Sequence, residues 1–247
     1  MTEVKPSGEA PLPAAMPMLL SFVAGYVDSY TYLTLFGLFA AQVTGSFVIA
    51  GAELVTHDYG IAGKLIAIVA FIVAAALTTA LIGLARDGGR AALPWMLALE
   101  AVLLGVFVAI VMLGPPIKNA RDWHGIIAGL FAATAMGAQS VLVRQLMKGI
   151  PQTNVMTGNM TQLGIATTEI ILAWRRLGRS RHDPAAVRDF EEVRSQLMLV
   201  LSIAVGFLVG AACGAVAFAV TGVGGALLSV AIVVSLAVWA LYRERMA

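Results

Sequence analysis

Charged residues are scarce in this chain. Only 12% of its 247 residues are Asp, Glu, Lys or Arg, whereas 60% are hydrophobic, and the mean hydropathy is +0.88. Soluble domains carry about 25% charged residues, so this composition argues against an ordinary soluble protein and indicates an integral membrane protein in contact with the lipid bilayer. The net charge of +2 and the clustering of the basic residues give no indication of nucleic-acid binding.

Cysteine and histidine are also rare. Cys213 has no second cysteine with which to form an internal disulfide, and we interpret it as a packing residue. The pairs His57-Asp58 and His182-Asp183 lack a third ligand at a suitable spacing, so we predict no metal site. We find no nucleotide-binding loop, no Ser-His-Asp arrangement and no pair of catalytic carboxylates. We therefore predict neither a cofactor nor an enzyme.

Long apolar segments fill most of the chain. A helix needs about 20 apolar residues to cross a membrane, and six segments qualify, at 18–39, 62–85, 94–113, 124–143, 196–219 and 224–241. Two more apolar segments, 41–55 and 152–174, are shorter or more polar. Residues 1–17 are polar and proline-rich, and we predict that they form a disordered cytoplasmic tail rather than a cleaved signal peptide.

The same polar element occurs in both halves of the chain. The first copy is Gly25-x-x-Asp28, followed by Thr44-Gly45-Ser46, and the second is Gly137-x-x-Ser140, followed by Thr157-Gly158-Asn159. A hydrophobic segment that is interrupted at matching places in each half is typical of transporters built from two structural repeats. We therefore predict one repeat over 18–113, a connecting loop over 114–123 and a second repeat over 124–247.

The two Thr-Gly segments can either re-enter the membrane, which gives six spans, or cross it, which gives eight. The positive-inside rule leans toward six, because that arrangement leaves slightly fewer basic residues outside. Six spans place the second repeat upside down relative to the first, as alternating access favours. Both arrangements put the C-terminus and the polar loop 175–194 in the cytoplasm. In that loop, Asp183 and Pro184 predict the start of an amphipathic helix.

Asp28 lies near the middle of the first span, where an ionisable side chain is costly. Its spacing from Ser21, Gly25 and Tyr32 puts these polar residues on one helix face. We predict that Asp28 binds a coupling ion or a substrate amine; alternatively, it makes a structural hydrogen bond or ion pair. Arg144, one turn beyond the equivalent point of the second copy, either pairs with Asp28 or marks the cytoplasmic end of its helix.

The Thr-Gly motifs are typical of helix starts, because Thr, Ser and Asn cap helices and Gly permits an unwound backbone. A helix that starts inside the membrane directs unpaired N–H groups at whatever lies before it. We therefore expect a small polar site near the midplane for an anionic or zwitterionic solute. The alternative is that the motifs are close-packing elements. The predicted site residues are Asp28, Tyr32, Gln42, Thr44, Gly45, Ser46, Gln139, Ser140, Arg144, Asn154, Thr157, Gly158, Asn159 and Thr161.

Three other carboxylates lie in or near apolar segments. Glu53 and Glu169 fall near segment ends, so we expect them to reach the membrane interface, whereas Glu100 lies deeper and is a candidate for proton coupling. A ridge of small residues predicts a close helix contact, either within the fold or in a homo-oligomer. The ridge consists of Gly206, Gly210 and Gly214.

Four segments resemble the YoaK-like family of small bacterial membrane proteins, a family of unknown function. They are FVAGYVDSYTYLTL (22–35), AQVTGSFVIAG (41–51), AMGAQSVLVRQL (135–146) and VMTGNMTQL (155–163). The family's first motif usually reads Asn-x-Thr-Gly-Asn, and Gln42 and Ser46 stand here in place of the two asparagines. The resemblance covers about residue 18 to the C-terminus and implies a multi-pass protein of the bacterial inner membrane, with no substrate indicated.

Together these patterns predict an all-α polytopic membrane protein with about six spans, two re-entrant segments and two internal repeats. Our first hypothesis for function is a secondary transporter of a small polar or anionic solute, with both termini in the cytoplasm. The alternatives are a membrane scaffold or accessory subunit, in which the polar residues only specify packing, and, less favoured, a passive channel.

Overall fold

A computed structural model of the chain describes residues 15–56, 60–179 and 183–246. Over these ranges the chain is helical and contains no strand. The elements are α1 (Ala15–Thr34), α2 (Val43–Thr56), α3 (Ile61–Asp87), α4 (Ala92–Leu113), α5 (Trp123–Leu146), α6 (Met156–Arg179), α7 (Pro184–Thr221), a 3₁₀ turn (Gly222–Ala226) and α8 (Leu227–Met246). Residues 1–14 of the predicted tail, His57, Asp58 and His182 lie outside the described residues, whereas residues 15–17 already belong to α1.

Several helices can cross a membrane. Among the described residues, four stretches are long and apolar enough: Ile61–Asp87, Ala92–Leu113, Trp123–Leu146 and Pro184–Met246, the last of which contains α7 and α8. Their large apolar side chains are exposed in many places, for example Leu84, Val102 and Leu208. Exposed apolar surface of this extent needs lipid around it, so the chain is an integral membrane protein, as its composition predicts.

The α1 helix lies in the core and packs along α7. Gly206, Gly210 and Gly214 of α7 are buried against Met18, Phe22 and Tyr26 of α1, respectively. Residue numbers increase together along both helices, so α1 and α7 run parallel. The glycine ridge therefore makes a close contact within the fold. This corrects the alternative of a homo-oligomer formed through these glycines, because α1 of the same chain already covers them.

An equivalent contact joins α3 and α5. A Cβ atom added to Gly137 of α5 would lie 2.7 Å from the carbonyl oxygen of Phe71 in α3. Near the C-terminal ends of the two helices, the side-chain amide of Gln145 donates to the Thr79 hydroxyl at 3.2 Å, and the backbone carbonyl of Gln145 accepts from the Arg86 guanidinium at 2.9 Å. Residue numbers again increase together along both helices, so α3 and α5 are parallel. Gly25 of α1 lies in the same way against the backbone carbonyl of Phe207 in α7, so the glycines that begin the two copies of the polar element make corresponding contacts.

The chain turns back sharply after α1. The helix ends at Thr34, five residues before the predicted end of this span, because Phe36 and Gly37 adopt positive φ angles of 54° and 81°. Leu35 and Leu38 are nevertheless buried, with 7% and 5% of their surface exposed. Apolar composition thus continues through the turn, which explains why the sequence predicted a longer helix.

A buried ion pair joins the ends of α2 and α3. Lys64 Nζ lies 2.6 Å from Glu53 Oε1 and donates to the carbonyl oxygen of Phe36 at 3.0 Å. Glu53 is therefore paired inside the protein, and the expectation that it reaches the membrane interface is wrong. These contacts also place the turn after α1, the end of α2 and the start of α3 at the same end of the bundle, so α1 and α3 run antiparallel.

The predicted polar loop 175–194 is mostly helical. The α6 helix continues to Arg179 and α7 already starts at Pro184, with Asp183 accepting a capping hydrogen bond from the backbone N–H of Ala185 at 2.9 Å. The predicted helix start at Asp183-Pro184 is confirmed. Arg176 and Asp189 form an exposed ion pair of 3.4 Å between the two helices, so α6 and α7 form an antiparallel hairpin at this end.

Candidate functional site

Asp28 binds the backbone of the first loop, which we define as residues 35–42. Its Oδ1 atom accepts a hydrogen bond from the N–H of Ala41 at 2.6 Å, and its Oδ2 atom accepts one from the N–H of Gln42 at 3.0 Å. Only 2% of Asp28 is exposed. Because both carboxylate oxygens accept from the residues just before α2, Asp28 fixes the place where that helix begins. This is a structural hydrogen bond, the alternative to ion or substrate binding that the position of Asp28 in the sequence allows.

The second loop, residues 147–155, is held in a similar way before α6. The side chain of Asn154 donates to the hydroxyl of Ser140 at 2.6 Å, and Ser140 occupies the place in α5 that Asp28 occupies in α1. Gln139 donates to the Thr153 hydroxyl and to the carbonyl oxygen of Leu20, both at 2.9 Å. The second loop is thereby tied both to α5 and to α1.

The two loops meet in the interior of the bundle. Asn154 Nδ2 also donates to the carbonyl oxygen of Ala41, at 3.4 Å. Ala41 stands three residues before Thr44, and Asn154 stands three residues before Thr157. Equivalent positions of the two polar elements are therefore in direct contact. Both loops also turn at a glycine of similar backbone angle, Gly37 with φ 81° and Gly149 with φ 80°.

The third residue of each Thr-Gly motif closes its own loop. Ser46 donates to the carbonyl oxygen of Phe39 at 2.9 Å, and Asn159 donates to that of Gln152 at 2.7 Å. Both bonds reach back seven residues, and both side chains are buried. Both motifs lie at the start of a helix, as predicted. Ser46 and Asn159 thus shape the loops, and their hydrogen-bonding capacity is in part used within the protein.

Several predicted residues lie away from this centre. Tyr32 is 44% exposed, with its ring against Phe39. Arg144 is exposed in the last turn of α5 and makes no ion pair with Asp28, so it marks the end of its helix. The remaining residues form the outer face of the motifs. Thr44, Thr157, Gly158 and Thr161 are exposed, and Gly45 faces the Phe39 ring.

The centre contains buried acceptors for which the described part of the chain supplies no donor. They are Asn154 Oδ1, Gln139 Oε1 and Gln152 Oε1. Gln139 and Asn154 are 0% and 4% exposed, respectively. A buried acceptor without a partner is costly and is uncommon in native proteins. This cluster can therefore bind a group that brings N–H or O–H donors, or a cation.

Sequence reasoning found Gln139, Ser140 and Asn154 because their side chains are polar within apolar segments. It placed Ser21 on the polar face of Asp28 but not among the site residues. In the structure Ser21 donates to the carbonyl oxygens of Thr153 and Ile203, at 2.9 and 2.8 Å. Thr153 and Gln152 were missed as well, and their position beside Asn154 was the only indication in the sequence.

Comparison with known proteins identifies the family but no characterised relative. The sequence profile of a family described as "Protein of unknown function (DUF1275)" matches residues 16–240. The match covers nearly the whole described chain and confirms the resemblance drawn from the sequence. No curated protein and no solved structure matches.

Proposed function

This chain belongs to the DUF1275 family of unknown function, and on that premise we propose that it is a small secondary transporter. The solute site lies where the first and second loops meet, around Asn154. The observation that carries the proposal is the contact between equivalent positions of two polar elements, surrounded by buried acceptors that have no donor. Transporters with internal repeats place their substrate sites at such a junction of interrupted segments.

Helix directions support two inverted repeats. The α1 and α7 helices run parallel, α3 and α5 run parallel, and α1 and α3 are antiparallel. The first helices of the two halves, α1 and α5, therefore cross in opposite directions. We propose that α1–α4 and α5–α8 are the two repeats, related by an axis that passes near Ala41 and Asn154. Rocking of one repeat against the other would expose the site first on one side and then on the other.

The contacts of α2 support re-entrant segments rather than full spans. The helix starts beside Asp28, inside the bundle, and its Glu53 lies beside Lys64 at the end to which Phe36 also belongs. The first loop thus descends from this end, and α2 returns to it. We propose that the second loop and α6 repeat this path from the opposite end, which gives six spans in total.

The donor-free acceptors favour a solute with hydrogen-bond donors over an anion. The sequence suggested that the helix starts attract an anionic or zwitterionic solute. In the structure the protein's own carboxylate, Asp28, already accepts from the N–H groups before α2. The buried side-chain atoms that have no partner among the described residues are all oxygens, so we propose an amine, a polyol or a similar donor-rich small solute.

The arginines indicate the orientation in the membrane. Arg86 lies at the same end as Gln145, and the α6–α7 hairpin and the end of α8 carry Arg175, Arg176, Arg243 and Arg245. Basic residues concentrate on the cytoplasmic side. We propose that this end faces the cytoplasm of a bacterial cell, with both termini inside and the protein in the inner membrane.

A thermal-shift screen tests the site. Purified protein is heated with panels of amines, polyols, amino acids, metal cations and organic anions, with Asn154→Ala and Thr161→Ala measured beside the wild type. Asn154→Ala removes a central acceptor. Thr161→Ala removes an exposed hydroxyl of the second motif that bonds only to its own helix, at 3.2 Å from the carbonyl oxygen of Thr157.

We expect a donor-rich compound to raise the melting temperature of the wild type and of Thr161→Ala, but not that of Asn154→Ala. Stabilisation by anions alone would contradict the proposed chemistry. If no compound stabilises any form while Asn154→Ala melts earlier, the loops serve packing only, and the membrane scaffold becomes the better account.

A further inference from the structure

Glu100 is a buried carboxyl group outside the loop junction. It belongs to the face of α4 that packs into the bundle, between Leu97 and Leu104, and all three residues are 0% exposed. Glu100 follows the first residue of α4 by eight positions, about 12 Å along the helix axis. It therefore lies well inside the apolar part of the protein.

Within residues 15–56, 60–179 and 183–246, neither carboxyl oxygen of Glu100 has a hydrogen-bond partner. Every other acidic side chain that the structure buries has one: Asp28 bonds to the first loop, and Glu53 pairs with Lys64. A charged carboxylate without a partner in a membrane interior is strongly unfavourable. A proton on Glu100 removes that charge and leaves a neutral group that the apolar surroundings tolerate.

No ionisable group of the neighbouring helices is in position to pair with Glu100. The helices packed on α4 are α5, α8 and, less extensively, α3, together with the 3₁₀ turn. The ionisable residues of α5, α3 and α8 stand near helix ends: His124 and Arg144 in α5; Lys64, Arg86 and Asp87 in α3; Tyr242, Arg243, Glu244 and Arg245 in α8. The turn has none, and Lys64 is bound to Glu53. The α1 helix also reaches α4, because the Tyr30 ring lies 6.5 Å from the Phe107 ring. The hydroxyls of Tyr26 and Tyr30 donate to the carbonyl oxygens of Gly225 and Gly222, and Asp28 bonds to the first loop, so these groups of α1 already have partners. The buried faces of α5 and α8 offer only Gln139 and Ser229 as polar side chains.

We propose that Glu100 is a proton-binding site and that the proton is the coupling ion of this protein. The coupling part rests on the proposed transporter function. The α4 helix packs against α8, and these helices occupy equivalent places in the two proposed repeats. Movement of the repeats would change the packing around Glu100 and admit water to it in one state. Proton release would then accompany that movement.

Infrared difference spectra between acid and alkaline pH test the proton site directly. The samples are the wild type, Glu100→Gln and the control Glu169→Gln, which changes an exposed carboxyl on α6. We expect the carbonyl band of one buried protonated carboxyl in the wild type and in Glu169→Gln, and its loss in Glu100→Gln. Identical spectra of the wild type and Glu100→Gln would overturn the proposal.

The pH dependence of stability provides a second readout that does not depend on transport. Gln is a neutral isostere of a protonated Glu, so Glu100→Gln should melt with the wild type at acid pH, where the Glu100 carboxyl is protonated in both the folded and the unfolded chain. As the pH rises through the ordinary titration range of a free glutamate, the unfolded wild type ionises while the folded protein keeps the proton, so the wild type should become progressively less stable than Glu100→Gln toward neutral and alkaline pH. If Glu100→Gln is equally destabilised at every pH, Glu100 is not protonated and the inference fails.

The two proposals fail in different ways. A protonated Glu100 in a protein that binds no solute would contradict the transporter and the coupling but leave the proton site in place. Solute binding that depends on Asn154, in a protein whose Glu100 carries no proton, would overturn this inference alone. If solute binding is coupled to proton binding at Glu100, the solute concentration that gives half-maximal stabilisation should shift with pH in the wild type. In Glu100→Gln it should stay constant.

Discussion

Replacement of Asp28 tests how the interior of the bundle is organised. In the structure its two oxygens accept from two backbone N–H groups, at 2.6 and 3.0 Å, and the residue is 2% exposed. Asp28→Asn keeps one acceptor and turns an amide N–H₂ toward the second N–H. Asp28→Ala leaves both N–H groups unpaired. The structure therefore predicts that stability falls from the wild type to Asp28→Asn and further to Asp28→Ala.

The size of the effect follows from the number of unpaired donors. Each buried N–H left without an acceptor costs about 1–3 kcal/mol, so the free energy of unfolding should fall by about 1–3 kcal/mol in Asp28→Asn and about 2–6 kcal/mol in Asp28→Ala. In a chain of this length each kcal/mol corresponds to about 2–4 °C in melting temperature. A decrease of about 2–12 °C for Asp28→Asn is measurable by fluorescence-detected unfolding in detergent.

The sign of the change for Asp28→Asn separates the two accounts of this residue. A carboxylate that awaits a coupling ion, with no bond to the first loop, is an unpaired buried charge, and neutralising it would raise the melting temperature. Tyr32→Phe is the matched control, because it removes a hydroxyl from the same helix at a 44% exposed position, and it should change stability by less than about 0.5 kcal/mol. An Asp28→Asn protein as stable as the wild type, or more stable, would refute the role assigned here.

Two further predictions concern packing. Gly210→Leu should abolish the monodisperse peak in size-exclusion chromatography, because a Cβ atom at this position overlaps the backbone of Phe22. The control Gly164→Leu, at a position with open space around it, should elute like the wild type. Equal behaviour of the two variants would disprove the close approach of α1 and α7. Lys64→Met leaves Glu53 buried without its partner and should cost about 3–5 kcal/mol of stability, whereas the double variant Glu53→Gln/Lys64→Met should recover most of that loss. Equal melting temperatures for the single and double variants would contradict the pair seen at 2.6 Å.

The sequence predicted most helices because hydrophobic length and composition determine which segments can cross a membrane. The segments predicted at 62–85 and 94–113 correspond to Ile61–Asp87 and Ala92–Leu113. Apolar composition predicted the end of α1 wrongly, because Leu35 and Leu38 are still apolar and buried although the backbone has already turned at Phe36 and Gly37. Backbone direction at such a turn depends on what the loop contacts, here Asp28, and a hydropathy pattern does not contain that information.

The candidate site was predictable only in part. Polar side chains such as Asn154 and Ser140 are conspicuous within apolar segments, so sequence reasoning located them. Their partners are largely backbone atoms, including those of Ala41 and Phe39, and backbone groups look the same at every position of a sequence. The pairing of Glu53 with Lys64 was missed for a related reason, since each residue alone is typical of a segment end.

Exposed and buried faces of the motif helices were equally hard to separate. Thr157 and Asn159 are two residues apart, yet Thr157 is exposed and Asn159 is buried. Both are polar, and both stand in the same motif. Which of them faces the bundle depends on how α6 packs on α7, and the polarity of the motif residues does not determine that packing.

Transport by the purified protein is the most direct test of the proposed function. The compound that stabilises the wild type in the thermal-shift screen is supplied to proteoliposomes containing the wild type, Asn154→Ala or Thr161→Ala. We predict saturable uptake by the wild type and by Thr161→Ala, and little or none by Asn154→Ala. Uptake that does not saturate and is unchanged in Asn154→Ala would indicate a passive channel, and binding without any uptake by the wild type would contradict a transporter.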